Sequence, residues 1–408
     1  MENHVEEMGM NMTAYETQRW IIDPGAAQLA DHPAVRAAAE RLRRGEVVAF
    51  PTETVYGLGA NCFSSAAVRQ IFAAKGRPSD NPLIVHIADE AWLRDVAQDV
   101  PETARRLMAA FWPGPLTLIF PSNGRVAPEV TGGLSTVAVR MPGHPVALAL
   151  LAACGFPLAA PSANRSGRPS PTRAEHVLDD LAGRIAGVLD GGPVPIGTES
   201  TVVDVCRPRP VILRPGAITR EELEEVLQQP VLTAWPERID KDGGDGDRIV
   251  ESAVGDAADT DVSAARELGF EEELGDVEDV PRSPGMKYTH YAPRGELWLV
   301  CGTPEAVRRR IVAEAMARLR QGRRIGILTT EESAEAYRRE LDRGPVTILP
   351  CGRRSDLASV ARELYGCLRR FDDQGVEVIF AESVPTGGIG AAVMNRLEKA
   401  SGGRKLMA

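Results

Sequence analysis

Val47-Val48-Ala49-Phe50-Pro51-Thr52-Glu53-Thr54-Val55-Tyr56-Gly57-Leu58-Gly59 is the stretch from which the rest of this 408-residue chain can be read. Its first four residues form a continuous apolar run, which reads as a buried strand. Pro51 has no N–H to give to a ladder, so the strand is expected to end there in a loop over Thr52–Gly59. Upstream, Val35, Ala38, Ala39 and Leu42 recur at helical spacing, which predicts an amphipathic helix over 33–44 stopped by Gly45. Downstream, a helix is expected around 65–75, then a strand over Leu83-Ile84-Val85-His86-Ile87, helices at 89–98 and 101–111, and strands around 116–120 and 136–140. Short apolar runs follow at Pro157–Ala160, Val188–Leu189, Thr201–Val205 and Val211–Leu213. Short strands and helices without a regular βαβ period predict an α+β, twisted open sheet ending near Leu227.

Residues 230–281 change character: Asp-Gly repeats and acidic runs with few aromatics predict a flexible linker. Glu237 to Asp279 holds 16 acidic and 4 basic residues, a balance of −12. The whole chain is −10, so the remainder sums to about +2 and the acidity belongs to one segment. After it, Ser283-Pro284-Gly285-Met286-Lys287-Tyr288-Thr289-His290-Tyr291-Ala292-Pro293 concentrates two tyrosines and a histidine, a pattern suited to docking on a surface. From Glu296, strands at 296–301, 324–329, 346–349 and 376–381 alternate with helices at 304–320, 331–341, 355–371 and 389–400, which predicts a small Rossmann-like parallel α/β domain. The expected division is 17–228, 229–294 and 295–408, in keeping with roughly 100–200 residues per domain.

Hydrophobic residues are 43% and charged residues 25%, an ordinary globular composition. The six cysteines are scattered with no CxxC pair, which argues against a zinc module or a disulfide framework and fits a reducing cytoplasm. The acidic start lacks an apolar h-region and no run reaches about 18 apolar residues, so neither a signal peptide nor a membrane span is expected.

Three clusters can carry chemistry. Lys75-Gly76-Arg77-Pro78-Ser79-Asp80-Asn81-Pro82 places a point charge and a guanidinium fork two residues apart, as polyanion binding requires. The same residues also suit an ordinary helix C-terminus, whose dipole favours cations. Ala160-Pro161-Ser162-Ala163-Asn164-Arg165-Ser166-Gly167 and Gly197-Thr198-Glu199-Ser200-Thr201, the latter followed by Arg214-Pro215-Gly216, offer hydroxyls and amides, and both also suit plain turns. His86 lies in an apolar strand, where a core role and a ligand role are equally open. His4, His32, His144 and His176 have no partner at metal-ligand spacing. No GxxxxGK[ST] occurs, so a conventional phosphate loop is not supported, and Gly387-Gly388-Ile389-Gly390 is better explained by close strand–helix packing than by phosphate binding.

In this order and spacing, Phe50 to Gly59, Lys75-Gly76-Arg77-Pro78 with Asn81-Pro82-Leu83, and Pro161-Ser162-Ala163-Asn164 with Ser166-Gly167 resemble the YrdC-like threonylcarbamoyl-AMP synthases. The docking segment and trailing α/β domain resemble the long form of that family, and the likeness runs from about residue 17 to the C-terminus. The resemblance implies a twisted mixed sheet around a concave, positively charged pocket. It implies a catalytic set of Lys75, Arg77, Ser162 and Asn164. It implies threonine contacts at Thr54, His86, Arg140 and Ser200, and ATP contacts at Arg77, Asn81, Thr136, Ser162, Asn164, Thr172, Arg214 and Tyr291. Its reaction joins L-threonine, bicarbonate or CO2 and ATP with Mg2+, and the product passes to a tRNA threonylcarbamoyltransferase complex that modifies the adenosine beside the anticodon. Two other readings stand beside this one. A carbamoyl-transferring enzyme of hydrogenase maturation would bring CxxC pairs, which are absent. A non-catalytic RNA binder is compatible with a cationic pocket, as is a weak RNA contact of the enzyme. Only 5% of the residues are aromatic, however, which is poor material for base stacking.

Overall fold

The computed structural model describes residues 15–235, 290–341 and 344–408. The acidic segment and residues 283–289 of the docking segment lie outside them.

The N-terminal unit is built on one mixed sheet of eleven strands: β1 Gln18–Ile21, β2 Val48–Phe50, β3 Gly57–Asn61, β4 Ile84–His86, β5 Leu116–Pro121, β6 Thr136–Arg140, β7 Leu158–Ala159, β8 Gly187–Asp190, β9 Thr201–Asp204, β10 Val211–Arg214 and β11 Leu232–Thr233. The spatial order is β1-β8-β2-β3-β7-β4-β6-β5-β9-β10-β11. Helices α1 Pro33–Arg43, α2 Ser65–Lys75, α3 Glu102–Phe111, α4 Pro128–Thr131, α5 Pro145–Cys154, α6 Ala174–Leu181 and α7 Arg220–Leu227 cover it. The apolar stripe of α1 is buried as its spacing requires, with Val35, Ala38, Ala39 and Leu42 packed on Val48, Phe50 and the helix α5.

Several elements differ from the sequence reading. Thr52–Gly59 is only half a loop: Gly57 onward is strand β3, antiparallel to β2 through Val48–Gly59, Ala49–Leu58 and Phe50–Gly57. Glycine is disfavoured in strands by propensity, but here the ring of Phe50 would stand 2.9 Å from a Cβ on Gly59, so packing selects glycine. The expected helix at 89–98 is only a 3-10 turn over Glu90–Asp95. The sequence reading assigns no helix at α4, α5, α6 or α7. The sheet also runs past the expected end at residue 228: β11 pairs parallel with β10, and Val231 is fully buried in the main core.

The C-terminal unit has five parallel strands, β12 Glu296–Cys301, β13 Ile325–Thr329, β14 Val346–Pro350, β15 Val378–Glu382 and β16 Lys405–Met407, in the order β14-β13-β15-β12-β16. Helices α8 Pro304–Leu319, α9 Glu331–Glu340, α10 Leu357–Asp373 and α11 Gly390–Ser401 alternate with them. This is the expected parallel α/β alternation, extended by the short edge strand β16. Helices α10 and α11 face the N-terminal unit, where Arg369 of α10 donates to Asp180 of α6 at 2.8 Å and to the carbonyl of Pro169. Among the described residues no helix is long and apolar enough to cross a membrane.

Candidate active site

A concavity opens where β3, β4 and β6 meet the loop after β7 and the loop before β9. Each of the three sequence clusters contributes to its lining.

Lys75 is the last residue of α2, whose N-cap Ser64 accepts from Ala67 N–H and whose C-cap Gly76 takes the left-handed conformation at φ 60°. A cation at a helix C-terminus normally faces water, but the Lys75 side chain is only 3% exposed. Its ammonium donates to the carbonyls of Ser162 and Asn164, both at 2.6 Å. An ammonium has three donors, so one N–H remains for the cavity. Burial, and then the charge of Arg77, push the Lys75 pKa well below its ordinary value of 10.5. Arg77 Nη2 donates to the carbonyls of Asn81 and Pro82, which anchors the guanidinium beside the cavity.

The Ser162–Asn164 loop is pinned by backbone. Leu58 N–H donates to Pro161 O at 2.7 Å, Ala163 N–H to Tyr56 O at 2.8 Å and Ser166 N–H to Lys75 O at 2.9 Å. The Asn164 amide donates to Arg165 O and Arg168 O. A turn-rich loop is thus held rigidly against α2.

Thr54, His86, Arg140 and Ser200 also line the cavity. Arg140, 3% exposed, donates through Nη1 to Thr54 Oγ1 at 2.9 Å and through Nε to Gly114 O. Its Nη2 lies 2.6 Å from Glu53 Oε1. Burial alone would raise the Glu53 carboxyl, but the Arg140 guanidinium and the Gly143 backbone N–H hold it below its ordinary range. His86 is pushed down to about 3 by burial and by the Arg140 charge, so its ring is neutral at pH 7. Ser200 Oγ shares a 2.7 Å hydrogen bond with Thr117 Oγ1, and Arg214 donates to both the carbonyl and the hydroxyl of Ser200.

Among the described residues the cationic lining is Lys75, Arg77, Arg140, Arg168 and Arg214, against Glu199 as the acidic lining residue. Such a wall attracts a polyanion. Tyr291 closes one side. Its phenol is 6% exposed, its backbone is left-handed at φ 65°, and Ala292 N–H donates to Gly167 O at 2.9 Å. The described residues contain no cluster of three or more His, Cys, Asp or Glu side chains arranged to hold a metal ion.

The structure brings together ten of the expected residues: Lys75, Arg77, Ser162, Asn164, Thr54, His86, Arg140, Ser200, Arg214 and Tyr291. It keeps Asn81, Thr136 and Thr172 out of the lining. Asn81 is fully buried beneath Arg77, Thr136 opens β6 opposite Pro121, and the carbonyl of Thr172 accepts from Val194 N–H. The sequence reading places Glu199 in the third chemistry-bearing cluster without a role of its own and assigns none to Arg396 or Tyr365. The signal for Arg396 was present: it shares the buried face of α11 with Ala392, Val393 and Ala400, where an arginine needs a partner.

Comparison with known proteins places the chain among relatives of one family and fold. A family model described as telomere recombination matches residues 40–216, and one described as threonylcarbamoyl-AMP synthase, C-terminal domain, matches residues 218–402. A threonylcarbamoyl-AMP synthase of Bacillus subtilis is 48% identical over 95% of this chain and 99% of its own length. One from Pyrococcus abyssi is 43% identical over 91% of this chain and 94% of its own. The crystal structure of P. abyssi Sua5 complexed with L-threonine superposes with a TM-score of 0.77 at 39% identity, covering 96% of this chain and 99% of that one.

Proposed function

The chain belongs to the threonylcarbamoyl-AMP synthases, enzymes that transfer AMP, and we propose that it makes threonylcarbamoyl-AMP and pyrophosphate from L-threonine, bicarbonate-derived CO2 and ATP. The product would serve threonylcarbamoyladenosine formation beside the anticodon of tRNA, handed on through a transferase complex. The observation that carries this reading is the convergence of Lys75, Arg77, Ser162 and Asn164 with Thr54, His86, Arg140 and Ser200 on one cavity.

The threonine amine adds to the carbon of CO2 and loses a proton, giving a carbamate. A carbamate oxygen then attacks the α-phosphorus, and the bond to the β-phosphate bridging oxygen breaks with its electron pair on pyrophosphate. Negative charge grows on the α-phosphoryl oxygens and on the leaving group. Lys75 and Arg77, already held by carbonyls, are suited to stabilise it without reorganising. Mg2+ enters with ATP as part of the substrate, because the lining offers cations for phosphate oxygens rather than a set of carboxylates for a resident ion. Arg140, part-neutralised by Glu53, would recognise the threonine carboxylate through the geometry of its fork. The neutral His86 ring presents no positive charge to the threonine ammonium. The P. abyssi Sua5 complex with L-threonine supports threonine as a substrate. Much of the rate would come from holding three reactants in one orientation.

The test is pyrophosphate release by purified protein with threonine and bicarbonate omitted in turn. Release that needs both supports the reading; release that ignores threonine overturns it.

A further inference from the structure

Glu199 is a carboxylate at the base of the cavity, 6% exposed, and it immediately precedes Ser200. One of its partners comes from the N-terminal unit: Ser170 Oγ donates at 2.5 Å. The others come from the C-terminal domain. Tyr365 OH of α10 donates at 2.9 Å, and Arg396 Nε of α11 donates at 2.9 Å. The Arg396 and Tyr365 side chains are fully buried. The same two residues also hold the closing aromatic. The Tyr291 ring stacks on Tyr365 with centroids 5.4 Å apart and planes at 30°, and the Arg396 guanidinium carbon lies 5.4 Å from the Tyr291 centroid. Tyr291 keeps a left-handed backbone, costly for a residue with a Cβ, and these contacts offset that cost.

We propose that Arg396 is a positioning residue of the active site. It anchors Glu199, and through it the Ser200 loop, while with Tyr365 it seats the Tyr291 ring, so the C-terminal α/β domain builds one wall of the cavity. This inference rests on the reaction proposed above for its kinetic consequence, but not for its structural one. Other links join the two units as well. Arg362 to the Pro195 carbonyl lies outside the lining, while Arg168 of the lining reaches Asp372 at 3.4 Å and shares Asp180 with Arg369, but neither link touches Tyr291 or the Ser200 loop. The Glu199–Arg396 pair is different because Glu199 lines the cavity and Arg396 lies against Tyr291. A guanidinium is needed there for its shape: Nε serves Glu199 while the guanidinium carbon sits over the Tyr291 ring.

The experiment uses the full chain with Arg396→Met, the double variant Arg396→Met/Glu199→Gln, and Arg396→Lys. Hydrogen exchange is followed at 197–201 and 290–293, together with melting temperature and threonine-dependent pyrophosphate release. Arg396→Met is expected to speed exchange at both segments by about 10-fold or more while strands β12, β13 and β15 stay protected. It is also expected to lower kcat/KM by about 10- to 100-fold, as a displaced substrate-positioning group does. The double variant removes the lone buried charge. It should regain melting temperature without regaining kcat/KM, whereas a merely structural link would restore both together. Arg396→Lys, which keeps the charge and loses the fork, covers the case in which the methionine variant does not fold, and should shift exchange and kcat/KM in the same direction. Unchanged exchange at 197–201 and 290–293, or full recovery of kcat/KM in the double variant, would overturn the proposal. A wild-type protein without threonine-dependent release would sink the reaction instead, and the exchange data would still decide the role of Arg396.

Discussion

Replacing Lys75 by methionine separates catalysis from stability, because the structure assigns the two effects different magnitudes. The ammonium makes two hydrogen bonds of 2.6 Å to carbonyls in a site where the residue is 3% exposed. Hydrogen bonds to charged groups contribute about 1.5–3 kcal/mol each, so the pair contributes about 3–6 kcal/mol. Burying the ion costs several kcal/mol in the opposite sense. The two nearly cancel, and methionine fills similar volume, so folding stability should change by less than about 2 kcal/mol. The reaction has no such cancellation. Losing one preorganised donor from developing transition-state charge costs about 2.7–4 kcal/mol, or 10²–10³ in kcat. The sign with pH adds a second check. Burial first, then Arg77, pull the folded pKa of Lys75 below 10.5, so the unfolded chain binds the proton more tightly. Wild-type stability relative to Lys75→Met should therefore rise as pH climbs from the folded value toward the unfolded one. The assays are initial rates of pyrophosphate release and thermal unfolding on the same preparations. A folded variant retaining more than about a tenth of wild-type kcat would refute the assignment, as would a loss of rate that merely tracks unfolding.

Three further outcomes are expected. Burial tends to raise the Glu199 carboxyl, but Arg396 and Arg214 outweigh it and hold it at about 2, so the stability it contributes is present above its unfolded value of 4.5 and is lost as pH falls from there toward 2; the melting-temperature gap between wild type and Glu199→Gln should shrink across that window, and a constant gap would refute the ion pair. Gly197→Ala places a Cβ 2.5 Å from Arg362 Cα at φ 86°, so it should destabilise by more than about 1 kcal/mol and loosen the contact between the two units, read by thermal unfolding and by protease sensitivity between them. Tyr291→Ala should raise hydrolysis of the mixed-anhydride product more than it weakens threonine binding, read by comparing intact threonylcarbamoyl-AMP with pyrophosphate released; equal product yield in the variant would exclude a covering role.

Local pattern accounts for much of the fold. The apolar face of α1, the Gly76 stop of α2 and the strand–helix alternation after Glu296 were all legible, because each depends on residues close in the chain. Helices α6 and α7 carry local signals of their own, an amphipathic period and a Thr219–Glu222 capping box, but other missed elements are decided by distant partners. Helix α5 is apolar on almost every side because it lies buried against α1 and the sheet, so no amphipathic period marks it. Strand β3 is rich in glycine, and only the Phe50 ring and the Leu158 side chain across the sheet explain why.

The candidate site divides the same way. Residue types marked two separate local clusters, Lys75 with Arg77 and Ser162 with Asn164, each of which also suits a helix end or a turn, and only the family resemblance joined them into one catalytic set. Their meeting in one cavity, the burial of the Lys75 ammonium on two carbonyls and the pairing of Arg140 with Glu53 depend on contacts 87 to 89 residues apart. The bond from Arg396 to Glu199 spans 197 residues. A sequence states which side chains carry charge. Whether a charge is solvated, paired or aimed into a cavity depends on which distant groups share its desolvated space, and that is settled only by the tertiary structure.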